Sequence, residues 1–137
     1  MTTIKKKALI SIIILSSIFC VVAFLNLKNF HAKFFNKTGE NIDSLMIGNT
    51  FIGKLKKDGF TEYINFKEFE FDSGFPYENV SGKIKKKILK PDFWSDCGTE
   101  RYSLSNGTYE FDIKTKLDIN GEAVLYLAPH NRKTFWE

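Results

Sequence analysis

Between Ala8 and Leu27 the chain reads ALISIIILSSIFCVVAFLNL, twenty residues without a charge. As a helix rising ~1.5 Å per residue, this stretch is about 30 Å long, the thickness of a bilayer's hydrocarbon core. Lys5, Lys6 and Lys7 precede it and Lys28 follows it. A charged flank and an unbroken apolar run predict a transmembrane helix acting as a signal-anchor, with Ala8 to Leu27 in contact with the lipid bilayer. A cleaved signal peptide is the alternative, because Val21, Val22 and Ala23 are acceptable before a cut after Ala23. The apolar run continues through Phe24, Leu25 and Leu27, which favours the anchor. Lipidation at Cys20 is disfavoured by Phe19, since that processing wants a small residue directly before the cysteine.

Orientation follows from the lysines near the two ends. Lys5, Lys6 and Lys7 stand on one side, and Lys28, Lys33 and Lys37 on the other. The first three are contiguous and nearer the apolar run. They predict a cytoplasmic N-terminus and a domain outside. Residues 1–7 then form a short basic tail, 8–27 the transmembrane helix, 28–35 a stalk, and 36–137 a β-rich extracytoplasmic domain.

The formal net charge of +4 is set largely by the membrane flank. Three of the twenty basic residues are Lys5, Lys6 and Lys7, which leaves seventeen against sixteen acidic residues in the rest of the chain. A near-neutral domain argues against a nucleic-acid footprint, and no nucleic-acid partner is expected. The domain is large enough to bury a core without disulfide staples. Fourteen Phe, five Tyr and two Trp supply apolar surface for it. With Cys20 in the apolar run, Cys97 is left as an unpaired thiol, so the chain is not a disulfide scaffold.

From Phe34 the pattern changes to β. Asn36 to Glu40 reads as a turn, Ile42 to Ile47 as a strand, and Gly48-Asn49 as a turn before a run from Thr50 to Leu55. Asp58-Gly59 is a hairpin signal. In the run from Phe60 to Phe71, Ile64 and Phe66 share one parity while Phe69 and Phe71 share the other. Side chains alternate along a strand, so a bulge or break near Lys67-Glu68 is expected. Val80 to Leu89 is a weaker strand, with Lys85, Lys86 and Lys87 at a hairpin tip. Thr108 to Leu117 alternates strictly. Tyr109, Phe111, Ile113, Thr115 and Leu117 share a core face, and Thr108, Glu110, Asp112, Lys114 and Lys116 share a wet one. Asn120-Gly121 turns the chain into an apolar return strand from Ala123 to Ala128. Phe135 and Trp136 are candidates to pack back on the domain. About seven short strands without helical periodicity predict a mainly β fold: the N-terminal transmembrane helix followed by a small antiparallel β-sandwich or partly open barrel.

Few residues suggest chemistry. Cys97, in the run Trp94-Ser95-Asp96-Cys97-Gly98-Thr99, would need a base to become a nucleophile. The two histidines are His31, in the expected stalk, and His130, after the last strand. Asp96 beside Cys97 opposes thiolate formation, so a buried cysteine filling space beside Trp94 is the expected reading. Two histidines and one available cysteine do not make a zinc site, and no calcium loop is present. Lys83, Lys85, Lys86, Lys87 and Lys90 form the one charge run, read as a solvated tip rather than a contact for anionic headgroups. Phe75, Pro76, Tyr77 and Trp94 are read as plugs closing the end of a sandwich rather than ligand-binding rings. Asn36, Asn79 and Asn106 head N-x-S/T sequons, which matter only in a eukaryotic secretory pathway. No catalytic, cofactor-binding or metal-binding residue is assigned, and no cofactor is expected.

The runs Ile42 to Gly48 (IDSLMIG), Glu68 to Gly82 (EFEFDSGFPYENVSG) and Trp94 to Thr99 (WSDCGT) resemble small, uncharacterised membrane-anchored β-domain proteins of Bacteroidota. The resemblance spans residues 36–128 and implies an envelope location. It carries over no activity and no functional residue. The expected function is a single-pass, membrane-anchored, non-enzymatic binding or accessory protein of the cell envelope. A secreted or periplasmic binding protein cleaved after Ala23, and a thiol enzyme using Cys97, are the alternatives.

Overall fold

The computed structural model describes residues 3–26, 29–92 and 100–131. Trp94, Cys97, Phe135 and Trp136, singled out above, lie outside them. The N-terminal helix α1 runs Thr3–Asn26, beginning earlier than the apolar pattern alone indicates. Within it, Lys6–Leu25 has a mean hydropathy of 2.9, and none of that span is buried against the rest of the protein. Isoleucine, leucine, valine and phenylalanine are exposed on all its sides.

Among the described residues eleven strands follow: β1 (Phe30–Asn36), β2 (Ile42–Ile47), β3 (Thr50–Leu55), β4 (Ile64–Phe66), β5 (Phe69–Asp72), β6 (Phe75–Pro76), β7 (Val80–Ile84), β8 (Lys87–Pro91), β9 (Arg101–Leu104), β10 (Gly107–Leu117) and β11 (Ala123–Pro129). Eight of them make one curled sheet in the order β3-β2-β7-β8-β11-β10-β1-β4. That sheet forms an open half-barrel. A second sheet, β6-β5-β9, contributes Phe69 and Phe71 to the same core. The mainly β class and partly open barrel match expectation, but the sheet is not wholly antiparallel: β1 pairs parallel with β10, and β8 with β11.

The stalk expected over 28–35 is corrected by β1. Phe30, Ala32, Phe34 and Asn36 alternate with His31, Lys33 and Phe35, and the first set is buried on the inner face. This is the period-two pattern of a half-covered strand, close behind α1. β1 then lies between β10 and the edge strand β4, with its inner side chains fully buried in the core.

The expected break at Lys67-Glu68 is present. Phe66 ends β4 in the large sheet and Phe69 starts β5 in the small one. The change of sheet lets Phe66, Phe69 and Phe71 all point inward despite their opposite parity. Four inner rings then stack almost parallel. Tyr109 lies 4.8 Å from Phe30, Phe30 lies 4.7 Å from Phe69, and Phe69 lies 5.1 Å from Phe111. Such pairs add about 0.5–1.5 kcal/mol each beyond the area they bury.

Lys85 and Lys86 make a two-residue hairpin turn between β7 and β8, with φ of 49° and 67°. Two positive φ values give the mirror-image turn whose twist suits a hairpin. Asp58-Gly59 also turns the chain, but its flanking strands do not pair. β3 and β4 run to opposite edges of the large sheet. The turn therefore joins the two lips of the open barrel rather than closing a hairpin. Asn36 pins that junction. Its fully buried amide donates to the carbonyls of Glu40, Lys56 and Leu55 at 2.8, 2.9 and 3.2 Å, and its Oδ1 accepts from the Thr38 backbone N–H.

On β10 the alternation holds at its centre, where Phe111 and Ile113 are buried. It departs from expectation in two places: between them Asp112, on the expected wet face, is buried, and at the C-terminal end Leu117 is exposed. β10 outruns β1, whose last register pair is Asn36 with Ile113, so Leu117 projects beyond the core.

Candidate functional site

The outer face of β1 and β10 carries the densest polar and aromatic cluster outside the core. Register places Lys33 beside Glu110 and Phe35 beside Asp112. Antiparallel pairing of β10 with β11 sets Asp112 against Ala128, and His130 continues the same outer row. The His130 backbone N–H donates to the Glu110 carbonyl at 3.0 Å. Its ring Nδ1 lies 2.6 Å from Asp112 Oδ1, and its ring face stacks on Phe35 at 3.8 Å. Both side chains of this pair are largely covered, and the Lys114 ammonium stands 3.9 Å from the other carboxylate oxygen.

A histidine whose Nδ1 is held by a carboxylate is oriented in the way a general base requires. Among the described residues, however, His130 meets no hydroxyl or thiol. The arrangement ties the end of β11 to β10 and β1. Tyr63, on the neighbouring segment, donates its hydroxyl to Glu110 Oε1 at 2.9 Å. That bond to a carboxylate pushes the phenol above the ordinary tyrosine range.

Phe60 and Tyr63 reach this face through a shift of register. Phe35 pairs with Phe60, and the Thr61 N–H donates to the Phe34 carbonyl. Ala32, however, pairs with Ile64, one residue out of step. The extra residue is a bulge at Glu62-Tyr63. It keeps Thr61 and Ile64 on the inner side and turns both Phe60 and Tyr63 outward. Phe60 also lines a groove of about 390 Å³ between the two barrel lips, with Phe51, Ile52, Thr61 and Ile64.

The other sequence candidates fall elsewhere. Cys97 and Trp94 lie outside the described residues. Tyr77 takes a hydrogen bond from Arg101 at 2.8 Å, with the guanidinium 4.4 Å from its ring centre. Arg101 also reaches the fully buried Asp72 at 3.4 Å. Phe75 is exposed, Tyr77 half-buried and Pro76 buried, so among the described residues of that group the proline is the one sealed into the fold. His31 sits on the outer face of β1 beside Asn65 and Thr108. Of the sequons, Asn79 and Asn106 are exposed, whereas the Asn36 amide is fully engaged in the core and is closed to modification in the folded chain.

The basic run is at the far end of the sheet from α1. β10 starts level with Phe30 and runs parallel to β1, so Leu117 lies about 34 Å further along, at ~3.4 Å per residue. Lys87 pairs with Glu122 at that end and Lys85 with Glu40, which holds the Glu40 carboxyl below its ordinary range. A cleft of about 810 Å³ opens there between β8 and the β10–β11 hairpin, lined by Ile88, Lys90, Leu117, Ile119 and Val124 among others. At its base Lys116 Nζ stands 2.5 Å from Asp92 Oδ2, an ion pair without the alignment of a hydrogen bond.

The outer-face cluster was not legible as a site, although its residues were. The signal is the odd-numbered row His31, Lys33, Phe35, which becomes a face only through pairing with the distant β10. In comparisons with known proteins, no family model matches and no curated protein matches. Among solved structures, an NMR structure of a protein from Eubacterium rectale is similar, at 12% identity, covering 76% of this chain and 92% of that one, with a TM-score of 0.43.

Proposed function

We propose that this chain is a single-pass, membrane-anchored, non-enzymatic binding or accessory domain of the cell envelope, with its β domain outside the cytoplasm. One observation carries the reading. α1 is apolar on every side and no part of its span is buried in the protein. A core helix of a soluble domain would bury such a surface, and an exposed leucine or isoleucine forgoes about 1.5–3 kcal/mol relative to burial. Lipid is the environment that satisfies α1. The triple lysine before the apolar run supports a cytoplasmic N-terminus. The engagement of His130 and Asp112 in joining β11 to β10 supports a binding role over a catalytic one.

The test is an alkaline carbonate wash of membranes from cells making the full chain. The chain is expected to stay in the pellet, and a soluble chain sinks the anchor. N-terminal sequencing separates the released form, because a mature chain beginning at Phe24 replaces the anchor with a secreted binding domain. Replacing Leu15 with lysine is expected to lower membrane retention, since a central charge costs roughly 2.5–3.5 kcal/mol on insertion. Protease added to spheroplasts is expected to digest the β domain, and protection that ends only when the spheroplasts are lysed would reverse the orientation.

A further inference from the structure

Lys33 stands directly across from Glu110 in the β1–β10 register, yet its ammonium makes no ion pair among the described residues. It lies instead over three aromatic rings. Its Nζ is 4.3 Å from the ring centre of Phe60, 5.4 Å from that of Phe35 and 5.7 Å from that of Tyr63. All three distances fall within the range of a cation–π contact. Phe60 and Tyr63 are 56% and 47% exposed, so these rings are kept at the surface while the neighbouring inner rings are buried. The bulge at Glu62-Tyr63 gives up regular pairing and brings the second of them onto this face. Glu110, held by the Tyr63 hydroxyl, adds a negative charge at the rim.

We propose that Phe35, Phe60 and Tyr63 form a recognition site for an alkylammonium group, with Lys33 as its internal occupant. The negative faces of three rings converge on one point, and that point already holds an ammonium. A lysine ammonium is strongly hydrated and leaves such a box at modest cost. A methylated ammonium is less hydrated and competes for the same rings. The ligand class is therefore a substituted ammonium, carried either by a free small molecule or by a lipid headgroup. The site belongs to the β domain and does not depend on which way α1 points.

The test uses the full chain in dodecyl maltoside, a detergent without an ammonium group. Ring signals of Phe and Tyr are followed by NMR as tetramethylammonium chloride replaces sodium chloride at constant ionic strength. In Lys33→Met the Phe60 and Tyr63 signals are expected to move saturably, with an affinity at least about five-fold tighter than in the unaltered chain. Lys33→Gln is expected to do the same and covers the case in which the methionine fills the box itself. Lys114→Met removes a nearby positive charge without touching the rings, and its affinity is expected to stay within about two-fold of the unaltered chain. The gain is expected to vanish when Phe60→Ala is added to Lys33→Met. No saturable shift in either Lys33 variant, an equal gain in Lys114→Met, or a gain that survives Phe60→Ala would each overturn the proposal. Nanodiscs separate the two sources. Signals already displaced in phosphatidylcholine discs assign the headgroup, and signals displaced in phosphatidylglycerol discs only on adding the ion assign a free ammonium.

Discussion

The two faces of β1 and β10 share one backbone and differ in almost everything else. Inward, Phe30, Ala32, Phe34, Phe111 and Ile113 are sealed from water among other rings and aliphatic chains. Outward, Lys33, Phe35, Glu110, Asp112 and Lys114 make hydrogen bonds, ion pairs, ring stacks and cation–π contacts at a partly wet surface. The inner face gains from area removed from water, a large and undirected effect. The outer face gains from directed contacts, each worth little after its desolvation cost. Burial and directed surface contacts are thus divided between alternate residues of the same strands.

The largest expected effect comes from breaking the inner face. Phe30→Ala removes a ring stacked on both Phe69 and Tyr109 and fully closed to water. It is expected to cost about 3–5 kcal/mol in denaturant unfolding, or to abolish the folded state. Phe35→Ala, five residues along the same strand and of opposite parity, loses the His130 stack in a half-open setting and is expected to cost less than half as much. Equal losses would mean that the two faces are not energetically distinct.

Asn36 is the polar exception on the inner face, and its replacement is the next largest test. Asn36→Leu keeps the volume and deletes the amide that serves the carbonyls of Glu40, Leu55 and Lys56. Each buried polar group left without a partner costs about 1–3 kcal/mol, so a loss of at least ~2 kcal/mol is expected. Amide exchange is expected to quicken first at the N–H groups of residue 36 and Thr61, which donate to the Gly59 and Phe34 carbonyls across this junction.

Asp112 is the corresponding exception on the outer face, a carboxylate buried among polar neighbours. Asp112→Ala strands the His130 Nδ1 in a covered position and is expected to cost about 1–3 kcal/mol. Asp112→Asn keeps an acceptor oxygen for Nδ1–H and is expected to recover at least half of that loss. If both variants cost the same, the charge of the pair and not its hydrogen bond holds β11 in place.

These exceptions mark how much of the molecule was legible in its sequence. A period-two run announced β10, an apolar run after a turn announced β11, and the parity clash between Phe66 and Phe69 announced the change of sheet, because all three depend on neighbours along the chain. β1 was hidden for a different reason. Its FHAKFFN alternation is as clear as any, but its partner is β10, more than seventy residues away and parallel. Nothing local distinguishes such a strand from a linker behind a membrane helix. The Asp112–His130 pair was hidden by register. A two-residue Asn120-Gly121 turn would set Asp112 opposite Pro129. Asp118 instead accepts the N–H groups of Asn120 and Glu122, which closes a five-residue loop and sets Asp112 opposite Ala128. A slip of one residue exchanges the faces, so the cluster exists only once that loop is known.

The smallest expected effect sharpens the outer face alone. Tyr63→Phe deletes the hydroxyl that donates to Glu110 and leaves the ring in place over Lys33. Stability near neutral pH is expected to change less than in any variant above, because both partners are exposed. The pH dependence is more telling. The bond to Glu110 raises the folded-state phenol above the unfolded tyrosine value, so the folded chain binds this proton more tightly than the unfolded one. Its contribution is therefore complete below the unfolded tyrosine pKa and is lost as pH rises through the raised value. In the unaltered chain, unfolding midpoints are expected to fall with an added step in that alkaline window, and ultraviolet titration is expected to show one late-ionising tyrosine. Tyr63→Phe is expected to lack both. If the late ionisation persists in the variant, Tyr63 is not bonded to Glu110 in solution, and the rim charge assigned to the aromatic box must come from elsewhere.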